Sequence, residues 1–189
     1  MDQALGWMNR FGTLGGRSRN GWGSLHLQPE EGTPFLQASL PLRPWKQALQ
    51  LDWPHAIGKD EKGPLIWQTR AFDNWRGVME ELARIKIDLR TRFCFAEGNN
   101  APRAEERHWL SYPVTNHSVQ RWDHSARLPN SLRFKVHARA DGQLVGEIFH
   151  MPCKPPAAFG PDHKTLVEVW EKAHDFLDNP RASLTRVRA

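Results

Sequence analysis

The sequence has little cysteine: only Cys94 and Cys153 occur among its 189 residues. Two thiols that form no CxxC motif cannot supply the disulfide framework of a small secreted domain, so a reduced, cytoplasmic protein is the simplest interpretation. Long apolar runs are also missing, and none approaches the roughly 20 residues that a helix needs to cross a bilayer. The N-terminus lacks the basic start and apolar core of a signal peptide. We therefore expect no membrane partner.

Recognisable catalytic and metal-binding patterns are scarce as well. No pair of carboxylates shows nuclease-like spacing, and His150 and Cys153 have no third and fourth ligand at the spacing of a metal site. Three histidines share one polar stretch near Tyr112: His108, His117 and His124. A histidine could act there as a general acid or base, but no second catalytic group is paired with any of them. We expect no catalytic residue, no metal ion and no cofactor.

Positive charge and tryptophan are what the sequence has in excess. Its 26 Lys and Arg outnumber its 21 Asp and Glu, which leaves a formal net charge of +5. This excess favours an anionic partner, most commonly nucleic acid, although a mildly basic soluble enzyme would show the same balance. The nine tryptophans could fill a core or stack on bases. We expect five of them to anchor the core or an interface: Trp67, Trp75, Trp109, Trp122 and Trp170.

Hydrophobic periodicity in the first half of the chain predicts helices separated by loops. A short amphipathic helix begins at about Asp2, and after a glycine-rich loop the segment Leu25–Leu27 is predicted as a strand. A second short helix is predicted over Trp45–Leu51. The clearest helix spans Asn74–Asp88, where apolar residues recur at three- and four-residue steps, and Asp73 is its predicted N-cap.

The second half of the chain predicts a hairpin followed by a helix. Leu132–Ala138 alternates apolar and basic residues, as a strand with one buried face does. Asp141-Gly142 supplies a turn, after which Gln143–Met151 returns as the second strand. Thr165–Glu168 matches a capping box and opens a last helix that ends by Pro180. Helices and strands together indicate an α+β fold.

Two basic surfaces follow from this pattern, and each has two interpretations. The strand face with Arg133, Lys135 and Arg139 could bind RNA phosphates, or it could be a solvated edge strand that charge protects against aggregation. A sheet of the RRM type usually reads RNA with aromatic residues, and this face has none. The clearest helix has a second basic set, which is either RNA-binding or simply solvated: Arg84, Lys86, Arg90 and Arg92.

The segment Gly12–Gly23 combines five glycines with Arg17 and Arg19. Glycine permits positive φ and close approach of the backbone to a ligand, and backbone N–H groups in such turns can surround an anion. Arginine adds forked donors suited to phosphate, and Trp22 could stack on a base or anchor the loop. A long turn with solvated arginines is the alternative. We expect eight loop residues to contact RNA: Gly15, Gly16, Arg17, Ser18, Arg19, Gly21, Trp22 and Gly23.

Two familiar phosphate-binding loops are excluded by the order of elements. The P-loop needs Gly-Lys-Ser/Thr before a helix, whereas Gly16-Arg17-Ser18 precedes a predicted strand. The dinucleotide fingerprint opens a helix after a strand, and the order is reversed in this sequence.

The residues from Phe11 to Leu25 resemble the glycine-rich signature of the RAMP proteins of CRISPR systems, which has the form FGGLGxRxRRGFGSL. In that family the signature lies between the last helix and the last strand of a ferredoxin-like (RRM-like) domain, and the same helix–loop–strand order is predicted for this chain. The sequence departs from the pattern at Thr13, where glycine is usual, at Asn20, where a basic residue is usual, and at Trp22, where Phe is frequent. The missing charge at Asn20 would weaken phosphate binding.

The later chain is similar to the first, two-domain RAMP subunit of the type III-B (Cmr) complex in three segments: Trp53–Gly58, Ala83–Lys86 and Arg127–Leu132. The resemblance implies that residues 1–40 are the closing helix, glycine-rich loop and strand of an incomplete first RAMP domain. Residues 41–189 would then form a second RAMP domain with a helical insertion. Because members of the family are usually longer, we expect a truncated or split protein.

The resemblance implies a non-catalytic subunit of an antiviral type III CRISPR effector complex. Such a subunit binds guide RNA and target RNA near the 3′ end of the guide, and it contacts other RAMP subunits. Besides the loop, the expected RNA-binding residues are Lys86, Arg90, Arg133 and Lys135. Two alternatives remain open. One is a metal-independent endoribonuclease that processes CRISPR repeats with a histidine general acid or base, and the other is a protein–protein scaffold without RNA contact.

Overall fold

The computed structural model describes residues 2–28, 30, 38–123 and 125–188, and within them it has an α+β architecture of five helices and two sheets. The elements, in chain order, are α1 (Asp2–Phe11), β1 (Leu42–Pro44), α2 (Trp45–Ala48), β2 (Ile57–Asp60), β3 (Gly63–Pro64), β4 (Ile66–Phe72), α3 (Trp75–Thr91), α4 (Glu106–Leu110), β5 (Leu132–Ala138), β6 (Leu144–His150), α5 (His163–Asp178) and β7 (Thr185–Arg186). The predicted α+β class is therefore confirmed.

The larger sheet has the strand order β5-β6-β4-β7, and each neighbouring pair is antiparallel. Strands β5 and β6 form the predicted hairpin, with Leu132 opposite His150 and Ala138 opposite Leu144. Gly142 in the turn has a φ of 79°, the left-handed conformation that an Asp-Gly turn requires. A smaller sheet of order β1-β2-β3 joins a parallel pair to a short antiparallel pair.

Helices α3 and α5 pack against one face of the larger sheet. Their apolar stripes are buried there, with Leu82 of α3 and Val169 of α5 at 2% exposure or less. The sheet contributes Phe134 and Ile148 from adjacent strands to the same core. The contact is close, because a Cβ added at Gly146 would lie 2.7 Å from a methyl carbon of Leu82. This burial is the main stabilising term for the fold.

The two long helices begin differently from the prediction. Asn74, rather than Asp73, caps α3, and its side chain accepts a hydrogen bond from the Gly77 amide. Asp162, rather than Thr165, caps α5 and accepts hydrogen bonds from the backbone amides of Lys164 and Thr165. Both predicted caps are wrong, although each real cap is a residue type that favours this position. The short helix predicted from Trp45 is confirmed, but it ends at Ala48.

Helix α1 covers the opposite face of the larger sheet. It begins at Asp2, as predicted, and its Phe11 ring lies 4.9 Å from that of Phe149 on β6, centroid to centroid. Ile57 and Ile66 complete a second, smaller apolar cluster between this helix, the sheet and β2. Polar groups lie beside that cluster, including the carboxylate of Glu147, which is fully buried. Both faces of the sheet are therefore covered.

The segment after the glycine-rich loop is not the predicted strand. Residues Leu25–Leu27 have no regular secondary structure. The backbone instead closes the loop at a single bridge between Thr13 and Ser24, with the Leu25 amide donating to the Gly12 carbonyl at 3.0 Å. The N-terminal residues pack directly on the larger sheet, and their assignment to a separate, incomplete domain stays a prediction. Residues 29 and 31–37, which follow the predicted strand, lie outside the described residues.

Between α3 and β5 the chain forms an irregular excursion that includes the short helix α4. Its aromatic residues pack together, with the Trp122 ring 5.2 Å from Trp109 and 5.0 Å from Tyr112. Four of the five predicted tryptophan anchors are buried as expected: Trp67, Trp109, Trp122 and Trp170. Trp75 is an exception, because its side chain is 37% exposed. Over the parts of the chain that the structure describes, no helix is both long and apolar enough to span a membrane.

Candidate nucleic-acid interface

The glycine-rich loop is a closed, ordered turn. The Leu14 amide donates to the Gly23 carbonyl at 2.8 Å, and the Asn20 amide donates to the Arg17 carbonyl at 3.0 Å. Gly23 has a φ of 66°, and a Cβ at this position would lie only 1.9 Å from the Leu14 carbonyl oxygen. Glycine is therefore required at residue 23 for the loop to close. The loop fixes the positions of its two arginines.

The loop is attached to the edge of strand β5 that does not pair with β6. The Phe134 amide donates to the Arg19 carbonyl at 3.2 Å, and the Val136 amide donates to the Ser24 hydroxyl at 2.9 Å. On the other side of the loop, the buried Gly21 packs against Met79 and Leu82 of α3. The loop therefore lies between the sheet and helix α3.

A basic groove of about 630 Å³ runs between the loop, the second half of α3 and the segments around residues 111–112 and 127–130. Five cationic side chains line it: Arg17, Arg19, Lys86, Arg90 and Arg127. No aspartate or glutamate is among its described lining residues. A concave surface with charge of one sign attracts anions more strongly than scattered charges do.

Lys86 connects α3 to the loop. Its ammonium donates to the Asn20 side-chain oxygen at 2.6 Å. Burial, together with the nearby charge of Arg90, lowers the pKa of Lys86 from its ordinary value. A phosphate in the groove would relieve this repulsion between like charges, since an opposite charge favours the protonated amine. Asn20 thus positions a basic side chain that belongs to another element.

The structure brings together seven of the residues predicted to bind RNA. They all line the basic groove: Gly15, Gly16, Arg17, Ser18, Arg19, Lys86 and Arg90. Gly21 and Gly23 determine the backbone shape of the loop and do not line the groove. Trp22 lies on the outer side of the loop, with 47% of its surface exposed. The other basic residues of α3 have different partners, since Arg84 pairs with Glu81 and Arg92 lies over the Phe176 ring.

The prediction of an exposed basic face on β5 is wrong at Lys135. This side chain is fully buried, and its ammonium donates to the carbonyls of Gly12 and Leu25 at 2.7 and 2.8 Å. Burial lowers its pKa to about 8. Lys135 therefore holds the two ends of the glycine-rich loop on the sheet. The alternation of β5 does place Lys135 on the face of the sheet that points away from α3 and α5, but the N-terminal segment covers that face.

Arg133, the other predicted residue on β5, does not line the groove. It is partly buried, and this burial, reinforced by the charge of Arg19, lowers the pKa of its guanidinium. Its proximity to Arg19 adds positive potential behind the loop. Arg133 therefore contributes to the charge of this region without forming part of the groove wall.

Sequence reasoning missed Arg127 and Tyr112 as groove residues. Both come from the excursion between α3 and β5, where a backbone bridge joins Tyr112 to Leu128. Neither residue belongs to a periodic segment, so no pattern placed them beside the loop. The available signal was a basic residue just before the Leu128-Pro129 turn.

The candidate catalytic histidines lie away from the groove. His108 is buried, its Nδ1 accepts a hydrogen bond from the Glu105 amide, and burial lowers its pKa. His117 stacks on Phe95 with ring centroids 3.8 Å apart. No histidine is among the described residues that line the groove, and His124 lies outside the described residues.

The other histidine of interest, His150, faces a second histidine in the core. Its Nδ1 lies 2.9 Å from Nε2 of His174, and its Nε2 lies 2.9 Å from the Ser131 hydroxyl. Burial lowers the pKa of His174 to about 3, so the pair is neutral at physiological pH. Across the residues with described positions, no three His, Cys, Asp or Glu side chains are grouped to hold a metal ion.

Comparisons with known proteins give no match: no family model fits the chain, and no curated protein or solved structure is significantly similar to it.

Proposed function

We propose that this protein is a non-catalytic RNA-binding and assembly subunit of a type III CRISPR effector complex, related to the first RAMP subunit of the Cmr complex. It would act in the cytoplasm, contact guide RNA and target RNA near the 3′ end of the guide, and adjoin other RAMP subunits. The observation that supports this best is the basic groove, which the RAMP-like loop forms together with Lys86 and Arg90 of α3.

The topology also supports a RAMP assignment. From β4 onward the order is β4-α3-β5-β6-α5-β7, with the short helix α4 inserted between α3 and β5, and the sheet order is β5-β6-β4-β7. A β-α-β-β-α-β unit with an antiparallel sheet and both helices on one face is the ferredoxin-like arrangement. We therefore propose a ferredoxin-like (RRM-like) fold for residues 66–186.

Coverage of the sheet favours the loop as the RNA-binding element. RRM domains stack bases on an open sheet face, but in this chain α1 occupies that face. The groove lies beside the edge of β5 that does not pair with β6, and the arginines and the lysine that line it are suited to phosphate. RNA would therefore bind at the loop rather than on the sheet.

The position of the histidines favours binding over cleavage. A general acid or base must come within hydrogen-bond distance of the reacting group. His108 and His117 are engaged in the aromatic cluster of the excursion rather than in the groove. A repeat-processing endoribonuclease therefore remains the second hypothesis, and incubation with labelled repeat RNA tests it. A discrete cut that disappears in His117→Ala would overturn the non-catalytic role.

The binding role is tested with the double variant Arg17→Ala/Arg19→Ala. RNA affinity should fall, and the slope of log K against log salt should decrease by roughly one to two, because fewer phosphates are neutralised. Lys164→Ala/Arg181→Ala is the matched control, since it removes two cations that do not line the groove. If both double variants bind RNA with the affinity and salt slope of the unaltered chain, the groove does not bind RNA and the scaffold hypothesis is favoured.

A further inference from the structure

A second pocket, of about 580 Å³, lies beside the basic groove on the other side of the loop. Its surface is mainly apolar, with Trp22 from the loop and Trp75 and Met79 from α3. Arg17, Asn20 and Lys86 line both cavities, so they form a shared wall. A ligand in the groove could therefore extend into this pocket.

The two tryptophans of the pocket expose much more surface than the core tryptophans do. Trp22 is 47% exposed and Trp75 is 37% exposed, whereas Trp67 is fully buried. The ring centroids of Trp22 and Trp75 are 6.2 Å apart, and the ring planes are inclined by 57°. The rings are in contact, yet they do not stack flat on each other, so aromatic surface remains open to a ligand.

Anchoring of the loop does not explain these exposed rings. Gly21 already packs on α3, where an added Cβ would lie 3.3 Å from Leu82 and 3.5 Å from the sulfur of Met79. Hydrogen bonds from Phe134 and Val136 attach the other side of the loop to β5. With the loop fixed by these contacts, Trp22 is available for another role.

We propose that this pocket binds an unstacked base of a single-stranded RNA whose phosphates occupy the basic groove. The proposal rests on the RNA-binding function and adds the kind of RNA and the site of the base. Bases stack on exposed aromatic rings with little dependence on sequence, and a base within a duplex is not available for this contact. The shared wall places cations next to the rings, as the alternation of phosphate and base along a strand requires.

The charges around the pocket favour a nucleotide over an apolar peptide segment. Its described lining residues include three cations, Arg17, Arg76 and Lys86, and one carboxylate, that of Glu80. Glu80 is paired with Arg76 at 2.7 Å. An apolar peptide would leave Arg17 and Lys86 without a counter-ion, whereas the RNA backbone supplies one for each nucleotide.

The test compares three ligands and three variants by fluorescence anisotropy. The ligands are a labelled single-stranded uridine 12-mer, an abasic ribose-phosphate oligomer of the same length and a duplex RNA. The variants are Trp22→Leu, Trp75→Leu and, as the control, Trp53→Leu, which removes a 66% exposed tryptophan outside the pocket. Trp75→Phe tests whether an aromatic ring suffices, and circular dichroism checks that each variant is folded.

Trp22→Leu and Trp75→Leu should each bind the 12-mer roughly 5- to 150-fold more weakly, which corresponds to the loss of one stacked base. Their salt slope should equal that of the unaltered chain because no charge is removed. Trp53→Leu should have no effect, and Trp75→Phe should restore most of the affinity. The unaltered chain should bind the abasic oligomer and the duplex as weakly as the leucine variants bind the 12-mer.

Two other results would overturn the proposal in distinguishable ways. If the unaltered chain binds the 12-mer with strong salt dependence but the leucine variants and the abasic oligomer bind equally well, the groove binds RNA and the pocket does not, which leaves the pocket to a protein partner. If the unaltered chain binds none of the three RNA ligands, both this inference and the RNA-binding function fail.

Discussion

Arg10 of α1 donates a 2.7 Å hydrogen bond to Glu147 of β6, whose carboxylate is fully buried beneath the helix. The same carboxylate accepts from the Gln68 side chain at 2.9 Å and lies 3.3 Å from the His137 ring. A buried carboxylate needs several such partners, because desolvation of the charge costs several kcal/mol. This network fixes α1, and with it the start of the glycine-rich loop, on the sheet.

Replacement of Glu147 by Gln should lower the free energy of unfolding by about 3 kcal/mol, since it leaves the guanidinium of Arg10 without its buried counter-charge. Urea denaturation measures the change. Glu168→Gln is the control, because this exposed residue is 3.9 Å from Lys164 and its loss should cost less than about 1 kcal/mol. Equal effects for the two variants would show that the Arg10–Glu147 pair does not hold α1.

The acid stability of the protein should depend on the same carboxylate. Burial opposes ionisation of Glu147, but the hydrogen bond from His137 and the charges of His137 and Arg10 hold its pKa below the usual 4.5. A carboxyl group with a lowered pKa stabilises the folded state above its unfolded pKa and loses this effect as the pH falls. The difference in unfolding free energy between the unaltered chain and Glu147→Gln should be constant above pH 4.5 and shrink below it. A difference that stays constant down to pH 3 would contradict this.

Replacement of Lys135 by Met should lower the free energy of unfolding by about 2 kcal/mol, because the Leu25 carbonyl loses its buried donor. The Gly12 carbonyl keeps the Leu25 amide as a second donor. RNA affinity should fall as the loop loosens, while the salt slope should keep its value because the groove cations remain. Chemical denaturation and an RNA titration at several salt concentrations check both effects. Lys164→Met, which changes an exposed lysine, should leave both quantities unaltered.

The buried lysine also predicts a rise in stability at alkaline pH. Its pKa is about 8 in the folded protein and 10.5 for an ordinary lysine. Between these values the unfolded chain binds more protons than the folded chain, so the free energy of unfolding contributed by Lys135 increases with pH. The unaltered chain should gain stability relative to Lys135→Met from pH 8 to pH 10.5, as measured by urea denaturation. A gain of the same size in Lys135→Met would assign the effect to other groups.

Replacement of Gly23 by Ala should destabilise the loop by about 2 kcal/mol or more, because the residue has positive φ and the new methyl group would clash with the Leu14 carbonyl. Gly98→Ala is the control, since this exposed glycine does not line the groove and a Cβ there would lie no closer than 3.9 Å to another atom. Thermal unfolding and RNA titration should separate the two variants. RNA binding by Gly23→Ala equal to that of Gly98→Ala would mean that closure of the loop is not needed for binding.

The regular elements were predictable where periodicity and burial agree. The alternation of Leu132–Ala138 and the apolar stripe of α3 identified the core hairpin and the longest helix because packing demands those patterns. The groove was predictable in part: the arginines of the loop and Lys86 and Arg90 of α3 were identified from charge and motif. Their convergence was not predictable, because it depends on the docking of the loop between β5 and α3.

The failures at Lys135 and Trp75 have a common physical cause, which is contact between residues far apart in the sequence. Strand alternation placed Lys135 on an exposed basic face, either RNA-binding or solvated, yet the carbonyls that accept from it lie more than 100 residues away. Trp75 continues the apolar stripe of α3, but its partner is Trp22 of the loop rather than the core. Local patterns contain no information about such partners.

The attachment of the loop to β5 also limits how this protein can associate with another molecule. Backbone amides of Phe134 and Val136, which would otherwise be free to pair with a strand of another molecule, are already satisfied by the chain itself. At the opposite border of the sheet, β7 has only two residues. Strand addition by another molecule is therefore disfavoured at both borders of this sheet. A partner of this protein would contact its side chains and loops, and it could dissociate without rupture of a shared sheet.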